Sequence, residues 1–423
     1  MPSPDESKQP RVLLVAENAS TKFGGEAILP LHYFRLLRQR GIETWLVVNQ
    51  RTQYELTPAL ATEQHRIHFV PDTKFRQLLE RLGRPFPAAV KHFTFRLWGR
   101  LLSGIRARRI VRRLVKEHRI DIVHQPTPVS PKEASLIFHV GAPVVIGPMN
   151  GGITYPPGFA DFQNRWVRRF IGAGRTASHL LNRLAPGKLR AATLLVANPR
   201  TAAALPHSVH GEIQTLVENA VDLNLWTPSE HAPNAPCRFV FSGRLIDWKG
   251  VQYLIDAFAA VLQKLSATLD ILGDGPMRKS LEKQVAGAGL TATVKFHGWR
   301  PQPDCAALLA GADIFVLPSL YECGGAVVLE AMASGLPVIA TNWGGPADYL
   351  DSSCGLLVEP QSPSALVANL TEAMLKLAAD APLARQMGAA GRAKVERDFD
   401  WQRKIDQILQ IYSETIKRNE FPA

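Results

Sequence analysis

Cysteine is scarce. The 423 residues hold four, Cys237, Cys305, Cys323 and Cys354, with no C-x-x-C spacing and no paired pattern. A zinc site and a disulfide framework are both unexpected, and a reduced cytoplasmic setting is expected. Long apolar runs are missing as well: none reaches the roughly 18 residues that a membrane-spanning helix needs. The opening MPSPDESKQP lacks the basic-then-apolar order of a signal peptide. Glycine and proline, 31 residues each, are too few for a collagen-like or low-complexity chain. Acidic residues are short in one half only. Residues 1–215 carry 31 basic against 14 acidic side chains, and the remainder 18 against 23. An anionic partner is expected for the first half.

What is present is an ordinary globular composition, 46% hydrophobic and 20% charged, at a length that favours two domains. Short apolar runs alternate with amphipathic stretches of helix length. RVLLVA (11–16), TWLVV (44–48), DIVH (121–124), APVVI (142–146) and ATLLVA (192–197) read as buried strands, the first followed by a helix over 26–40. The rhythm restarts near Leu216. VENAVDLNLWTPSEHAPNAP (217–236) has the Asn, Asp, Ser and Pro content of an interdomain linker. After it, RFVFSGR (238–244), TLDILGDG (268–275), TVKFHGW (293–299), ADIFVLPS (312–319), LPVIATNWGG (336–345) and GLLVEP (355–360) form a second series. This alternation predicts α/β domains whose parallel sheets are covered on both faces. Two such domains, 1–217 and 218–400, predict a cleft between open sheets, with ligands at the carboxyl ends of the strands. WQRKIDQILQIYSETIKR (401–418) predicts a long amphipathic helix that either domain could receive.

Chemistry concentrates in two segments of the second half. In LPSLYECGGAVVLEAMASGLPVIATNWGG (317–345) a strand ends at Leu317, a loop carries Glu322, and a helix begins near Ala326. Gly324 and Gly325 let a ligand approach the backbone, and the unpaired N–H groups of the helix start at Ala326 and Val327 suit an anion such as a diphosphate. Glu322 and Glu330, eight residues apart, can face one crevice and accept hydroxyls of a polyol. In FSGRLIDWKGVQYLIDAF (241–258), Arg244 leaves a strand end and Lys249 precedes a helix. Two cations there suit a leaving diphosphate, although a basic turn by itself is ordinarily only solvated. The first half offers weaker signals. Gly24-Gly25 opens a helix, His124 ends a strand on the side expected to face the cleft, and GPMNGG (147–152) follows another strand. A histidine in such a place is structural more often than catalytic.

Together these residues resemble the family 4 retaining glycosyltransferases. The similarity runs from Gly24-Gly25 through VENAVDL, FSGRLIDWKG, ILGDGP, VKFHGW and ECGGAVVLE to the terminal helix, nearly the whole chain. The resemblance implies a GT-B fold: two Rossmann-like parallel-sheet domains facing each other across a cleft, with 401–423 crossing back to the first. It implies that Arg244 and Lys249 hold the diphosphate of a nucleotide sugar, Glu322 contacts the donor sugar and Glu330 takes the ribose hydroxyls. Backbone of Phe296–Trp299, Gly298 included, would lie against the base. Gly25, with Gly24 beside it, would approach the diphosphate from the first domain, and His124 would reach the donor sugar. The chain departs from the family at Cys323, where Phe or Tyr is common, at Ala220 for Gly, and at Pro126, where a second histidine sometimes stands.

No Asp-x-Asp ends an apolar strand and no His/Cys cluster has metal spacing, so metal-independent chemistry without a cofactor is expected. The expected reaction moves a glycosyl group to an acceptor hydroxyl with retention. Lys74 to Arg119 carries 14 basic and 2 acidic residues interleaved with Phe75, Phe86, Phe93, Trp98 and Ile105, and RWVRRF (165–170) adds to it. That pattern suits an anionic membrane surface, where lipid-linked glycan acceptors lie, the alternative being an amphipathic core helix with a solvated basic face. A cytoplasmic enzyme peripheral to the inner face of a membrane is the resulting expectation. Two other readings stay open: a sugar-nucleotide epimerase of the same fold, and a nucleic-acid-binding protein, for which no reading module is recognisable.

Overall fold

The computed structural model describes residues 9–21, 25–72, 81, 97–162, 180–229 and 235–420. They form two compact α/β units. The first takes the described residues up to Gly152, 180–218 and those from Ile405 onward; the second takes 153–162 and Asn219–Lys404. Sequence reading places 153–162 in the first domain. Nothing local marks the crossing, since the segment contains neither a strand nor a change in composition. Gly24, 73–80, 82–96 and RWVRRF lie outside the described residues.

In the first unit, β1 (Val12–Val15), β2 (Thr44–Asn49), β3 (Ile67–Val70), β4 (Ile122–Gln125), β5 (Val144–Met149), β6 (Thr193–Val196) and β7 (Glu212–Thr215) form a parallel sheet in the order β3-β2-β1-β4-β5-β6-β7. Leu13, Val47, Val123, Ile146 and Leu194 are fully buried in its core. Such strands read as continuous apolar runs because both faces are covered. Sequence reading misses the two edges. β7, EIQT, is mostly exposed and polar, and β3, IHFV, buries only its two end residues and carries a histidine. The helix Leu97–His118, the described part of the basic stretch, sets Val111, Leu114 and Val115 into the core and leaves Arg106, Arg109, Arg112, Arg113 and Lys116 exposed. Among the described residues, no helix is long and apolar enough to cross a membrane.

In the second unit, β8 (Cys237–Ser242), β9 (Ala267–Leu272), β10 (Val294–Gly298), β11 (Ile314–Leu317), β12 (Val338–Thr341) and β13 (Gly355–Val358) run parallel in the order β10-β9-β8-β11-β12-β13. The order reverses direction between β8 and β11, as it does between β1 and β4 in the first unit. Loops after those strands diverge to opposite faces of the sheet, which opens a crevice at the strands' carboxyl ends.

The presumed linker is not free. Val221 N–H donates to Phe399 O (2.9 Å), Trp226 is buried, and its carbonyl accepts from Arg392 (2.7 Å), all within the second unit. The helix Trp401–Glu420 starts there too, with Lys404 Nζ on Asn219 O at 3.1 Å. From Ile405 it belongs to the first unit. Thr415 bonds Thr193 (2.8 Å), and Asp406 and Arg418 pair with Arg40 and Glu212.

Candidate active site

The two segments singled out for chemistry follow β8 and β11, on either side of the second unit's switch point. After β8 the chain turns through Arg244, whose side chain is exposed and makes no ion pair among the described residues. Leu245 is buried beneath it, and the Leu245 N–H donates to Asp274 O at 3.0 Å. A single turn, Asp247–Lys249, then ends at Gly250 with φ +70°. A Cβ there would stand 2.1 Å from Pro318 O, so only glycine lets the helix Val251–Leu262 start against the end of β11. This packing explains the glycine of the Lys-Gly pair in the motif. The Leu320 N–H donates to Trp248 O at 2.8 Å and ties the two loops together.

On the second loop, Glu322 forms an ion pair with Lys249, and Ser319 Oγ lies 3.4 Å from the same carboxylate oxygen. The Lys249 and Glu322 side chains are 13% and 17% exposed, so the pair is accessible to a ligand yet partly shielded from water. The Gly345 N–H donates to Glu322 O at 2.8 Å and fixes the loop from the β12 side. Gly325, at φ +83°, caps the helix Ala326–Ala333, with no side-chain hydrogen bond at its N-cap. The backbone at Ala326 and Val327 therefore presents the positive end of a helix, four residues beyond the Glu322 that Lys249 holds. Gly324 is buried under the 344–345 turn.

Glu330 lies one turn into that helix and is only partly exposed. Burial pushes its carboxyl up to about 7. Its charge acts on Cys305, in the helix Gln302–Ala310, whose thiol is pushed up to about 11 chiefly by burial. Gly298 ends β10 at φ +71°, its carbonyl accepting from the Gly273 N–H (2.9 Å), and the next residue, Trp299, is 68% exposed. Among the described residues, no group of three or more His, Cys, Asp and Glu could hold a metal ion.

The first unit corrects one expectation. His124 does not present a ring nitrogen to a ligand: it is fully buried, Nε2 lies 2.6 Å from Gly147 O and Nδ1 2.6 Å from Tyr412 Oη. A carbonyl can only accept, so Nε2 carries the proton and Nδ1 accepts from the tyrosine. Burial pushes the imidazole down to about 4, and it stays neutral. Its role is to seat the terminal helix, a partner 288 residues away that no local pattern reveals. Replacing Tyr412 with Phe leaves Nδ1 buried without a donor. Chemical denaturation of Tyr412→Phe is expected to show a loss of about 1–3 kcal/mol; unchanged stability would contradict this assignment. Gly25 starts the helix Gly25–Gln39, with no atom of the described residues beyond its chain neighbours and helix backbone within 4 Å of where a Cβ would stand, and Glu26 accepts from the Val129 N–H at 2.8 Å. A further polar tie escaped sequence reading: Asn150 Nδ2 donates to the buried Glu218 at 2.9 Å, linking GPMNGG to the point where the chain leaves the first unit.

A sequence description of the glycosyl transferases group 1 matches residues 226–394. Alpha-maltose-1-phosphate synthase of Mycolicibacterium smegmatis is 31% identical over 280 residues, 58% of this chain and 69% of its own length. A GDP-mannose-dependent monoacylated alpha-(1-6)-phosphatidylinositol monomannoside mannosyltransferase of Corynebacterium glutamicum is 34% identical over 180 residues, 40% of this chain; the match spans less than half, 46%, of the relative. Among solved structures, the Anabaena protein Alr3699/HepE, determined with UDP and glucose, superposes with a TM-score of 0.64 at 19% identity, covering 96% of this chain and all of the other.

Proposed function

Because the chain belongs to the group 1 glycosyltransferases and has the GT-B fold, we propose that it moves a sugar from a nucleotide-sugar donor to an acceptor hydroxyl, with retention at the anomeric carbon as in family 4. The bond from the anomeric carbon to the diphosphate oxygen breaks, a bond to the acceptor oxygen forms, and the acceptor's proton passes to the departing diphosphate. Negative charge grows on that diphosphate as the bond breaks. In this reading Arg244, Lys249 and the backbone at Gly324, Gly325, Ala326 and Val327 stabilise it without a metal ion. Glu322 orients the donor sugar, Glu330 takes the ribose hydroxyls, and the turn at Gly298 borders the base.

The observation that carries this reading is the Lys249–Glu322 pair, which joins the loops after β8 and β11 beneath a helix start without a side-chain cap. Relatives named as a synthase and a mannosyltransferase favour transfer over epimerisation. For the acceptor we infer a lipid-linked glycan of surface polysaccharide or glycolipid synthesis. The basic first half supports it, as does the similarity to an enzyme named for a phosphatidylinositol mannoside. The enzyme would then work in the cytoplasm, peripheral to the inner face of a membrane, and Arg106, Arg109, Arg113 and Ile105 would be its described contacts with anionic lipid. Nucleotide sugars screened by thermal shift, followed by incubation of the best donor with lipid extracts, test the reading. A glycolipid product with the donor's anomeric configuration, read by NMR, is expected. An inverted linkage, or a modified sugar released without acceptor, would overturn it.

A further inference from the structure

The segment 153–162 contains none of the motif residues, yet it packs against both loops of the candidate site. Ile153 is buried, and its Cδ1 stands 2.4 Å from where a Cβ on Gly344 would be. Trp343 Nε1 donates to Thr154 O at 2.7 Å. Farther along, Phe159 is 2% exposed against Tyr253, with ring centroids 5.6 Å apart, and a Cβ on Gly158 would meet Gln361 O at 1.7 Å. Between these anchors stands Tyr155. Its ring is 5.1 Å from Tyr321, the residue before Glu322, and stacks on Phe162 at 6.2 Å. Burial pushes its phenol up to about 12, with Asp247, two residues before Lys249, contributing. Tyr155 therefore neighbours the chain on both sides of the Lys249–Glu322 pair.

The order of loops along the sheet says what lies at that point. On the donor reading the base falls at the β10 side, by Gly298; the ribose falls next to it, at Glu330, whose charge acts on Cys305 in the helix that follows β10; and the diphosphate falls between β8 and β11. A donor extended in that direction carries its glycosyl group toward β12, whose following loop, with Trp343 and Gly344, is the one 153–162 covers. A tyrosine suits a sugar there, because its ring packs on the apolar C–H face of a pyranose while its hydroxyl reaches a sugar hydroxyl.

We propose, resting on the donor reading above, that Tyr155 contacts the glycosyl group of the donor and selects among nucleotide sugars with the same base. Calorimetric titration of the full chain with a nucleoside diphosphate and with its sugar esters, alongside donor-hydrolysis kinetics, tests this. Tyr155→Ala is expected to leave nucleoside diphosphate affinity within about twofold. It should lower kcat/KM for the nucleotide sugar about tenfold, the scale of one lost sugar contact; Tyr155→Phe, which keeps the ring, should lose less. Equal weakening of both ligands would assign the residue to holding the loop, and no effect on either would remove it from the site; both results overturn the proposal. A parent protein that binds no nucleotide sugar refutes the donor reading itself, and this inference with it.

Discussion

Changing both Arg244 and Lys249 to alanine is expected to lower sugar transfer at least a thousandfold, with the fold intact. Removing a single group that stabilises developing negative charge typically costs about 10²–10³ in kcat. The two cations differ in what else they do. Arg244 is exposed and has no ion pair among the described residues, so its loss costs the unliganded protein little. Lys249 holds Glu322, and its loss leaves a carboxylate whose remaining side-chain partner among the described residues is Ser319 Oγ at 3.4 Å. That carboxylate is near solvent, which limits the destabilisation. Turnover with thermal unfolding as the control separates the two effects: a large fall in kcat at a nearly unchanged Tm is the expected result. A double variant as active as the parent would refute the assignment of the diphosphate to this site.

The second large effect is a pH dependence that belongs to Glu330. Its carboxyl ionises at about 7 in the unliganded protein because burial disfavours the charge. Ribose hydroxyls can donate to it, and they favour the ionised form. Binding therefore has to release a proton below pH 7 and releases none above about pH 8. The sign follows: nucleoside diphosphate affinity rises with pH and reaches a plateau near pH 8, and between pH 8.5 and 5.5 it falls about thirtyfold. Titration of the ligand's own phosphate is common to all variants, so the ratio of parent to Glu330→Gln isolates this group. Glu330→Gln is expected to bind more weakly at pH 8.5 and to lack the additional fall. In the free protein the linkage runs the other way: a carboxyl raised above its unfolded value of 4.5 contributes stability that is lost as pH rises through 7. At pH 8 the unliganded Glu330→Gln protein should thus be the more stable of the two. Parallel pH profiles for the two proteins would exclude Glu330 from the ribose site.

Most strands are legible from local pattern because each buries both faces, which forces an unbroken apolar run such as VLLV or IFVL. The edge strand β7 escapes for the converse reason: EIQT needs only one neighbour and stays half wet, so its residues carry no such constraint, whereas the edges β10 and β13 of the second sheet keep enough apolar residues to be read. The chemistry of the second unit is legible on the same grounds. Arg244, Lys249, Glu322 and Glu330 each lie within a few residues of the strand end or helix start that places them, and Gly250 and Gly325 are demanded by backbone geometry within the same turn.

By itself, then, the sequence determined the two α/β series, the restart near Leu216 and the cationic and acidic residues around one switch point. All of these follow from spacing along a single element and its adjoining loop. Tertiary structure decided the rest. It closed both nitrogens of His124 with Gly147 and a tyrosine from the far end of the chain, carried 153–162 into the second unit, packed the supposed linker through Trp226, and raised the Glu330 carboxyl by burying it. Each of these depends on what remote segments bring to a surface, and desolvation or a long-range hydrogen bond leaves no trace in the residues next to the group it acts on.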